Sequence, residues 1–328
     1  MSNETHYHNI KSKQGVILVN FGSPEMLTKK GIRRFLWHLL TDQRVVSLPK
    51  FLWWPILGLI ILPFRPKRLI HDYKRIWTES GSPLLADHHA ITKALQKELK
   101  DVVIEEAHLY ANPSLKMAWA KLKQAGVREV FIFPLYPQYS SATTACVLDA
   151  WAKVMAKEIF IPGMTFLQAY HDHPEYISAL AKSIQSDWQK NGQPDHLVFS
   201  FHGIPKKKFT EGDPYYCYCH KTMRLVAEKL NLDAADYSLA FQSRFGKQEW
   251  LKPYLSDHIK TLIEGGKNRI DVICPGFSID CIETLHEIGY EYAEEAKALG
   301  GHLHLIPCLN KSSDSISLYK NIILSKIS

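Results

Sequence analysis

Cysteine is scarce in this chain, and long uninterrupted apolar runs are missing. Six cysteines among 328 residues are too few for a disulfide scaffold, so we expect free thiols or metal ligands in a reducing compartment. The first residues, MSNETHYHNI, lack the apolar core of a signal peptide. The longest apolar stretch covers residues 51–64 and contains two prolines, whereas a membrane-spanning helix needs about 20 apolar residues. These absences predict a cytoplasmic protein without a transmembrane anchor.

Strong charge and nucleotide-binding motifs are also missing. Forty Lys and Arg against 33 Asp and Glu leave a net charge of +7, and the cations are dispersed. Nucleic-acid binding would require a basic stripe and a recognisable module. Neither G-x-G-x-x-G nor G-x-x-x-x-G-K-[ST] occurs, and G-x-S-x-G is missing too. The sequence therefore gives no support for dinucleotide, P-loop nucleotide or nucleic-acid binding, and little for serine hydrolysis.

What the chain does contain is an alternation of short apolar runs with helix-length segments. The runs predict strands at residues 16–20, 103–110, 127–134, 197–201, 237–242 and 270–274, with helices between them. The first run is continuous and branched, as in a parallel strand that is buried on both faces. We therefore expect an α/β fold of two similar halves, residues 1–160 and 161–313, with a helix at about 314–328 that packs back on them.

A histidine stands at the end of one predicted strand. In residues 199–205, FSFHGIP, the strand leads into His202 and is then broken by Gly203 and Pro205. Ligands bind at the carboxyl ends of the strands in parallel α/β sheets, so this position favours a chemical role. A histidine that only serves the turn is an equally good interpretation of the local pattern.

Three glutamates follow the strand predicted at 270–274. A Pro-Gly pair ends that strand, and a helix with Ser278 at its N-cap is expected up to about residue 299. Such a helix places Glu283, Glu287 and Glu291 on one face, where no lysine relieves their mutual repulsion. The face is either a solvated acidic surface or a row of carboxylates for a divalent cation.

Two further segments each allow two interpretations. Cys217 and Cys219 form a C-x-C pair, which is a weak metal signal because no second pair lies at a suitable spacing. Residues 51–77 are rich in aromatic and aliphatic side chains and predict either a buried hairpin or an exposed apolar lip. A lip with Arg65, Lys67 and Arg68 at its edge would suit an amphiphile that carries carboxylates.

Eight segments, in order along nearly the whole chain, resemble ferrochelatases, the enzymes that insert ferrous iron into a porphyrin. They are GVILVNFGSPE, LTDQRVVSLP, RPKRLIHDYKRIWTESGSPLL, FPLYPQYSSATTA, FSFHGIP, GDPY, FQSRFGKQEWLKPY and CPGFSIDCIETLHEIG. FSFHGIP and SIDCIETL are especially specific to the family. The resemblance implies a lyase that inserts Fe²⁺ into protoporphyrin IX and forms protohaem, the last step of haem biosynthesis.

The resemblance also implies a fold and a site. Two similar domains, each a four-stranded parallel sheet flanked by helices, would hold the porphyrin between them, and the C-terminal helix would return to the N-terminal half. The family's active-site histidine and glutamate fall on His202 and Glu283, as catalytic residues and iron ligands. Glu287 and Glu291 would then form a route for the metal. The positions that resemble the family's porphyrin pocket are Asn20, Phe21, Arg65, Tyr73, Ser82 and Tyr139.

Two departures from animal ferrochelatases bear on the cofactor question. Those enzymes carry a histidine two residues before the glutamate, and here that residue is Cys281, which puts a role for imidazole there in doubt. They also carry a cysteine-rich C-terminal extension that holds a [2Fe–2S] cluster, and some bacterial members hold a cluster near GDPY. Only Cys217 and Cys219 lie near GDPY in this sequence. We therefore expect no [2Fe–2S] cluster and no tightly bound cofactor, with Fe²⁺ acting only as substrate.

Other interpretations stay open at the level of sequence. The chain could be a coproporphyrin III ferrochelatase, although two more propionates would want more pocket cations than the sequence indicates. A non-catalytic porphyrin or haem carrier of the same fold would bind one equivalent without turnover. A chelatase for another tetrapyrrole is a further alternative, although such chains are usually shorter and lack the RPKRLIHDY segment in this form. We expect a monomer, with peripheral contact to the inner face of the membrane through the lip.

Overall fold

The two halves of the chain form separate parallel sheets of the same topology. The computed structural model describes residues 13–246 and 248–327. The first sheet contains β1 (Lys13–Asn20), β2 (Val102–His108), β3 (Val127–Pro134) and β4 (Gly163–Phe166), in the order β2-β1-β3-β4. The second contains β5 (His196–His202), β6 (Tyr237–Gln242), β7 (Arg269–Ile273) and β8 (His302–Ile306), in the order β6-β5-β7-β8. All these neighbours pair in parallel, so the predicted α/β fold with two four-stranded sheets is confirmed.

Helices connect the strands in both halves. The α-helices are α1 (Lys29–Leu40), α2 (Lys50–Ile56), α3 (Leu62–Ile76), α4 (Pro83–Glu98), α5 (Leu115–Gln124), α6 (Thr144–Met155), α7 (Pro174–Asn191), α8 (Lys206–Thr210), α9 (Tyr215–Leu230), α10 (Leu255–Glu264), α11 (Ala293–Ala298) and α12 (Ser313–Leu324). Two π-helical stretches also occur, at Leu57–Ile61 and at Ile282–Tyr292. The second of these is called the long π-helix below.

Local sequence explains the central elements. The side chains of β1 from Val16 to Val19 are fully buried because β1 lies between β2 and β3 with helices against the sheet. Helix α1 begins where the Thr28 hydroxyl accepts a hydrogen bond from the Gly31 N–H at 3.0 Å, a common N-cap arrangement. The helix that follows buries an apolar face made of Ile32, Leu36 and Leu40.

One apolar core joins the two halves. The Phe133 ring of β3 packs edge-on against Tyr170 and Tyr319, with centroids 5.7 and 5.6 Å away. The Ser278 hydroxyl donates to the Leu135 carbonyl at 2.5 Å and lies 2.9 Å from the Tyr170 hydroxyl. Helix α12, which carries Tyr319, contacts both α4 and α7. The halves are therefore held together by buried packing and not only by the chain that connects them.

The edge strands were not located from sequence, and this affects the domain boundary. Strand β4 is largely exposed and lacks an apolar run, and β8 alternates histidine with leucine. Because β4 pairs with β3, the first sheet continues to Phe166, beyond the boundary predicted at residues 160 and 161. The remaining bounds of the two domains stay a prediction.

The apolar segment at residues 51–64 is helical and exposed on one side. Helix α2, the stretch Leu57–Ile61 and α3 follow one another without a break, so the hairpin alternative is wrong. Phe51, Leu59 and Phe64 are 76%, 75% and 73% exposed, whereas Trp53 and Leu57 pack against α1. The predicted exposed lip is confirmed. Within residues 13–246 and 248–327, no helix combines the length and apolarity needed to cross a bilayer.

Candidate active site

His202 is the last residue of β5, and its ring presents one nitrogen for chemistry. The ring is half-buried, and its Nδ1 lies 2.7 Å from the Gly203 carbonyl oxygen. A carbonyl can only accept, so Nδ1 carries the hydrogen and Nε2 of the neutral ring keeps its lone pair. The backbone of His202 is fixed as well, because Tyr215 donates its hydroxyl hydrogen to the His202 carbonyl at 3.0 Å. His202 is thus oriented with Nε2 available to accept a proton or to bind a metal ion.

Glu283 lies in the first turn of the long π-helix, opposite the lip helix α3. Burial lowers the pKa of the Arg65 guanidinium, and the negative charge of Glu283 opposes that effect. The same charge adds to the burial that raises the pKa of Tyr73. Tyr73 also hydrogen-bonds to Ser23 in the loop after β1. Three of the predicted site residues, Glu283, Arg65 and Tyr73, therefore come together across the two halves.

Glu287 is half-buried, one turn further along the long π-helix. Its carboxylate accepts hydrogen bonds from the Ser243 N–H at 2.9 Å and from the Ser243 hydroxyl at 2.5 Å. Burial raises the pKa of Glu287, and the Ser243 bonds and the nearby His202 work in the opposite direction. A pocket of about 270 Å³ opens beside this carboxylate and is also lined by Asp257 and Tyr292. A half-buried carboxylate that lines a pocket is suited to receiving a cation from solvent.

The three glutamates do not form the uniform acidic face predicted from their spacing. The helix begins at Ile282 and not near Ser278, and its backbone hydrogen bonds join residues five apart. Each glutamate meets a different partner. Glu291 lies 3.8 Å from the Arg68 guanidinium and 3.9 Å from His286 Nδ1. Arginines from α3 therefore supply the cationic relief that the helix itself lacks.

Cys281 is the N-cap residue of the long π-helix, and its thiol takes part in the cap. Its N–H donates to the Thr284 hydroxyl at 3.0 Å, and its thiol accepts in return from the Thr284 backbone. The side chain is buried, and burial raises the pKa of the thiol well above its ordinary value. Thiolate is the form that binds metal, so this environment disfavours Cys281 as an iron ligand.

The remaining predicted pocket residues can be described by their own contacts. At the end of β1, the Asn20 side-chain oxygen accepts from the Phe21 N–H at 2.7 Å. The Phe21 ring stacks on Tyr110 and lies against Tyr136, with centroids 5.5 and 5.1 Å away. Ser82 is buried at the start of α4, just beyond the lip helix. These residues belong to the first half and make no direct hydrogen bond to His202 or Glu283, so their role in porphyrin binding stays a prediction.

Tyr139 follows β3 and connects to His202 through other residues. Burial raises its pKa, and the charge of Asp213 adds to that effect. Asp213 accepts hydrogen bonds from the Ser141 N–H at 2.7 Å and from the Tyr215 N–H at 3.0 Å. Since Tyr215 contacts the His202 carbonyl, Asp213 links the segment after β3 to the histidine.

Two functional residues were missed by the sequence analysis. Gln242 ends β6 and contacts Glu283, and Ser243 follows it and contacts Glu287. Both residues stand in FQSRFGKQEW, a segment that carried the resemblance without being singled out. Their position at the carboxyl end of a predicted strand was the available signal.

The cysteines are reduced in this structure. All six are free thiols. On α9, Cys217 is exposed and Cys219, two residues further along, is buried. In the part of the chain that is described, no group of three or more His, Cys, Asp and Glu side chains converges as a metal site would. The expectation that the protein holds no iron–sulfur cluster stays a prediction.

Comparisons with known proteins agree with this geometry. The sequence model of the ferrochelatase family matches residues 13–327. A ferrochelatase of Aeromonas hydrophila is 46% identical over 321 residues, which cover 96% of this chain and 99% of the relative. A ferrochelatase of Pseudoalteromonas atlantica is 44% identical over 328 residues, which cover 98% of this chain and 91% of the relative.

Solved structures share the fold at low identity. SirB from Bacillus subtilis with Fe³⁺ superimposes with a TM-score of 0.60 at 10% identity, over 96% of this chain and 95% of that one. The sirohydrochlorin chelatase SirB of Bacillus subtilis subspecies spizizenii, in complex with cobalt, gives a TM-score of 0.58 at 9% identity over 96% and 94%. At such identities the likeness supports the two-sheet fold and nothing finer.

Proposed function

The chain belongs to the ferrochelatase family, metal chelatases of the lyase class, and we propose that it inserts Fe²⁺ into protoporphyrin IX to form protohaem. The observation that carries this proposal is the placement of His202 and Glu283 in a family match that spans residues 13–327. His202 ends β5 and Glu283 lies in the first turn of the long π-helix. Gln242 connects them, because it pairs with His202 in the sheet register and donates to the Glu283 carbonyl.

The chemistry requires acceptors for two protons. Fe²⁺ binds four pyrrole nitrogens only after the two N–H groups of the free porphyrin lose their hydrogens. His202 Nε2 offers a lone pair, and the Gly203 carbonyl stabilises the imidazolium that forms because it holds the Nδ1 hydrogen. The Glu283 carboxylate offers a second basic group beside the positive Arg65. Imidazole and carboxylate both suit Fe²⁺, so the pair also supplies the ligands that the incoming metal exchanges for pyrrole nitrogen.

Glu287 and Glu291 are the proposed route for iron. Glu287 faces the 270 Å³ pocket that opens between the end of β6, the start of α10 and the long π-helix. Glu291 is more exposed and lies beside Arg68 and His286. A metal ion that reaches Glu287 is then next to both Glu283 and His202, which lie close enough to Glu287 to influence its pKa.

The lip is the proposed contact for both porphyrin and membrane. Its exposed apolar side chains stand beside the cations of α2 and α3, including Lys50 and the 80% exposed Arg68 side chain. An apolar surface with adjacent positive charge suits the interface of an anionic bilayer. We place the protein in the cytoplasm, in peripheral contact with the inner face of the membrane. The lip also favours protoporphyrin, because its exposed apolar side chains suit the vinyl groups that coproporphyrin III replaces with propionates.

An anaerobic insertion assay tests this function. Protoporphyrin IX and coproporphyrin III are offered side by side with Fe²⁺, and metalloporphyrin formation is followed by absorbance, with the His202→Ala variant as control. We expect turnover with protoporphyrin IX as the better substrate. Binding of one equivalent without turnover would show a carrier, and preference for coproporphyrin III would overturn the substrate assignment.

A further inference from the structure

We propose that Gln242 is the positioning residue that sets Glu283 against His202, an inference that rests on the proposed function. Gln242 is the last residue of β6 and only 1% exposed. In the sheet register it stands opposite His202, the last residue of β5. Gln242 is therefore adjacent to His202 in the sheet and hydrogen-bonded to the backbone of Glu283.

The orientation of the Gln242 amide follows from its partners. Its Nε2 donates to the Glu283 carbonyl at 2.8 Å and lies 3.5 Å from a carboxylate oxygen of Glu287. Both partners are acceptors, so the NH₂ group must face the long π-helix. The opposite oxygen, Oε1, then accepts from the Ser200 hydroxyl at 2.7 Å, with the Cys274 thiol at 3.6 Å. The amide therefore ties β5, β6 and β7 to the first turn of the long π-helix.

The bond to the Glu283 carbonyl fixes the backbone from which the reacting carboxylate projects. The Cys281 cap holds the start of this helix, but it does not connect Glu283 to the sheet. Arg65 acts on the carboxylate from the first half of the molecule. Gln242 therefore restrains the backbone of Glu283, and Arg65 of α3 attracts its carboxylate. Loss of the amide leaves the charge attraction and removes the backbone restraint, so Glu283 shifts relative to the porphyrin face.

Two substitutions separate positioning from packing. Gln242→Met keeps the length of the side chain and removes both the donor and the acceptor. Gln242→Glu keeps the shape and places a carboxyl group against two acceptors, the Glu283 carbonyl and the Glu287 carboxylate. Gln96→Met is the matched control. Gln96 is a partly buried amide that likewise donates to backbone carbonyls, those of Leu99 and Val102, but it joins α4 to β2 far from the site.

The experiment measures kcat and both KM values for Fe²⁺ insertion into protoporphyrin IX, with the melting temperature of each variant. A displaced catalytic group costs up to about a hundredfold, so we expect kcat to fall about 10- to 100-fold in Gln242→Met and at least as far in Gln242→Glu. The KM for porphyrin should change by less than about twofold. Gln96→Met should lower the melting temperature comparably while kcat stays at the wild-type value.

A double-mutant cycle identifies Glu283 as the residue acted upon. In a Glu283→Gln background, Gln242→Met should lower kcat by less than about twofold further, because the group it positions is already gone. Multiplicative effects, or a wild-type kcat in Gln242→Met, would overturn the inference. If Gln242→Met does not fold, the isosteric Gln242→Glu variant answers the same question. Absence of turnover in the wild type is a different outcome, which overturns the proposed function and this inference with it.

Discussion

The buried pair His88 and His108 should make the protein lose stability below neutral pH, by an amount that can be estimated. His88 Nδ1 lies 2.9 Å from His108 Nε2, and His108 Nδ1 lies 3.1 Å from the Asn112 carbonyl. The carbonyl requires a hydrogen on His108 Nδ1, so His108 Nε2 accepts from His88. His88 Nε2 is then left as a buried nitrogen without a partner. Each ring is built into the fold in its neutral form.

The magnitude follows from the pKa of His108. Burial lowers the pKa of His108 from 6.5 to about 4, and burial also lowers the pKa of His88 well below its ordinary value. When folding lowers the pKa of a histidine, the unfolded chain binds the proton more readily than the folded protein does. The protein therefore has its full stability above the unfolded-state pKa, and it loses stability as the pH falls from that value towards the folded-state pKa. At about 1.36 kcal/mol per pKa unit, His108 alone accounts for about 3 kcal/mol at full protonation and about 2 kcal/mol at about pH 5. His88 adds a contribution of the same sign.

Urea unfolding followed by tryptophan fluorescence, at about pH 7.5 and about pH 5, measures this effect. The His108→Gln variant should be less stable at neutral pH, but it should lose about 2 kcal/mol less than the wild type between the two pH values. His302→Gln removes an exposed histidine and should lose as much as the wild type. Equal losses in the wild type and in His108→Gln would refute the reasoning.

Four further predictions concern the site and the lip. His202→Ala should keep porphyrin binding while kcat falls below about a tenth of the wild-type value, and a smaller loss would contradict its catalytic role. Glu287→Gln should raise the KM for Fe²⁺ several-fold and leave the KM for porphyrin unchanged, whereas Glu283→Gln should lower kcat. Equal shifts in both KM values would show that Glu287 shapes the cleft and does not conduct the metal. Leu59→Asp should weaken a salt-sensitive affinity for anionic vesicles, which a membrane association that survives high salt would disprove. The purified protein should be colourless, and stoichiometric iron and sulfide with a visible charge-transfer spectrum would establish a cluster.

The elements that could be predicted are those whose burial produces a recognisable apolar pattern in the local sequence. Strand β1 is buried on both faces and reads as a continuous apolar run, and β3 and β6 were predicted with their observed bounds. His202 could be placed at a strand end for the same reason. Strand β4 is an exposed edge, so its stability comes from pairing with β3 and leaves no apolar signature.

The site could be predicted as a pair of residues but not as an arrangement. Ser278 has the side chain of an N-cap, yet its hydroxyl is used by Leu135 and Tyr170, which lie 143 and 108 residues away in sequence. Such long-range contacts leave no signal in the local sequence, and the helix begins instead at Ile282 behind the Cys281 cap. The arginines opposite the glutamates come from a helix about 220 residues earlier, a juxtaposition that only the folded chain creates.

The apolar core shared by the two sheets determines how the product can leave. Phe133, Tyr170 and Tyr319 pack across the halves, so the sheets cannot swing apart without exposing that surface at about 25 cal/mol per Å². The outer side chains of the lip, in contrast, are mostly exposed, so their movement breaks few packing contacts. We therefore expect a flat product to leave past the lip in its own plane, and to leave faster when a membrane is present. Turnover in plain buffer would then be limited by product release, and turnover with vesicles by the chemistry.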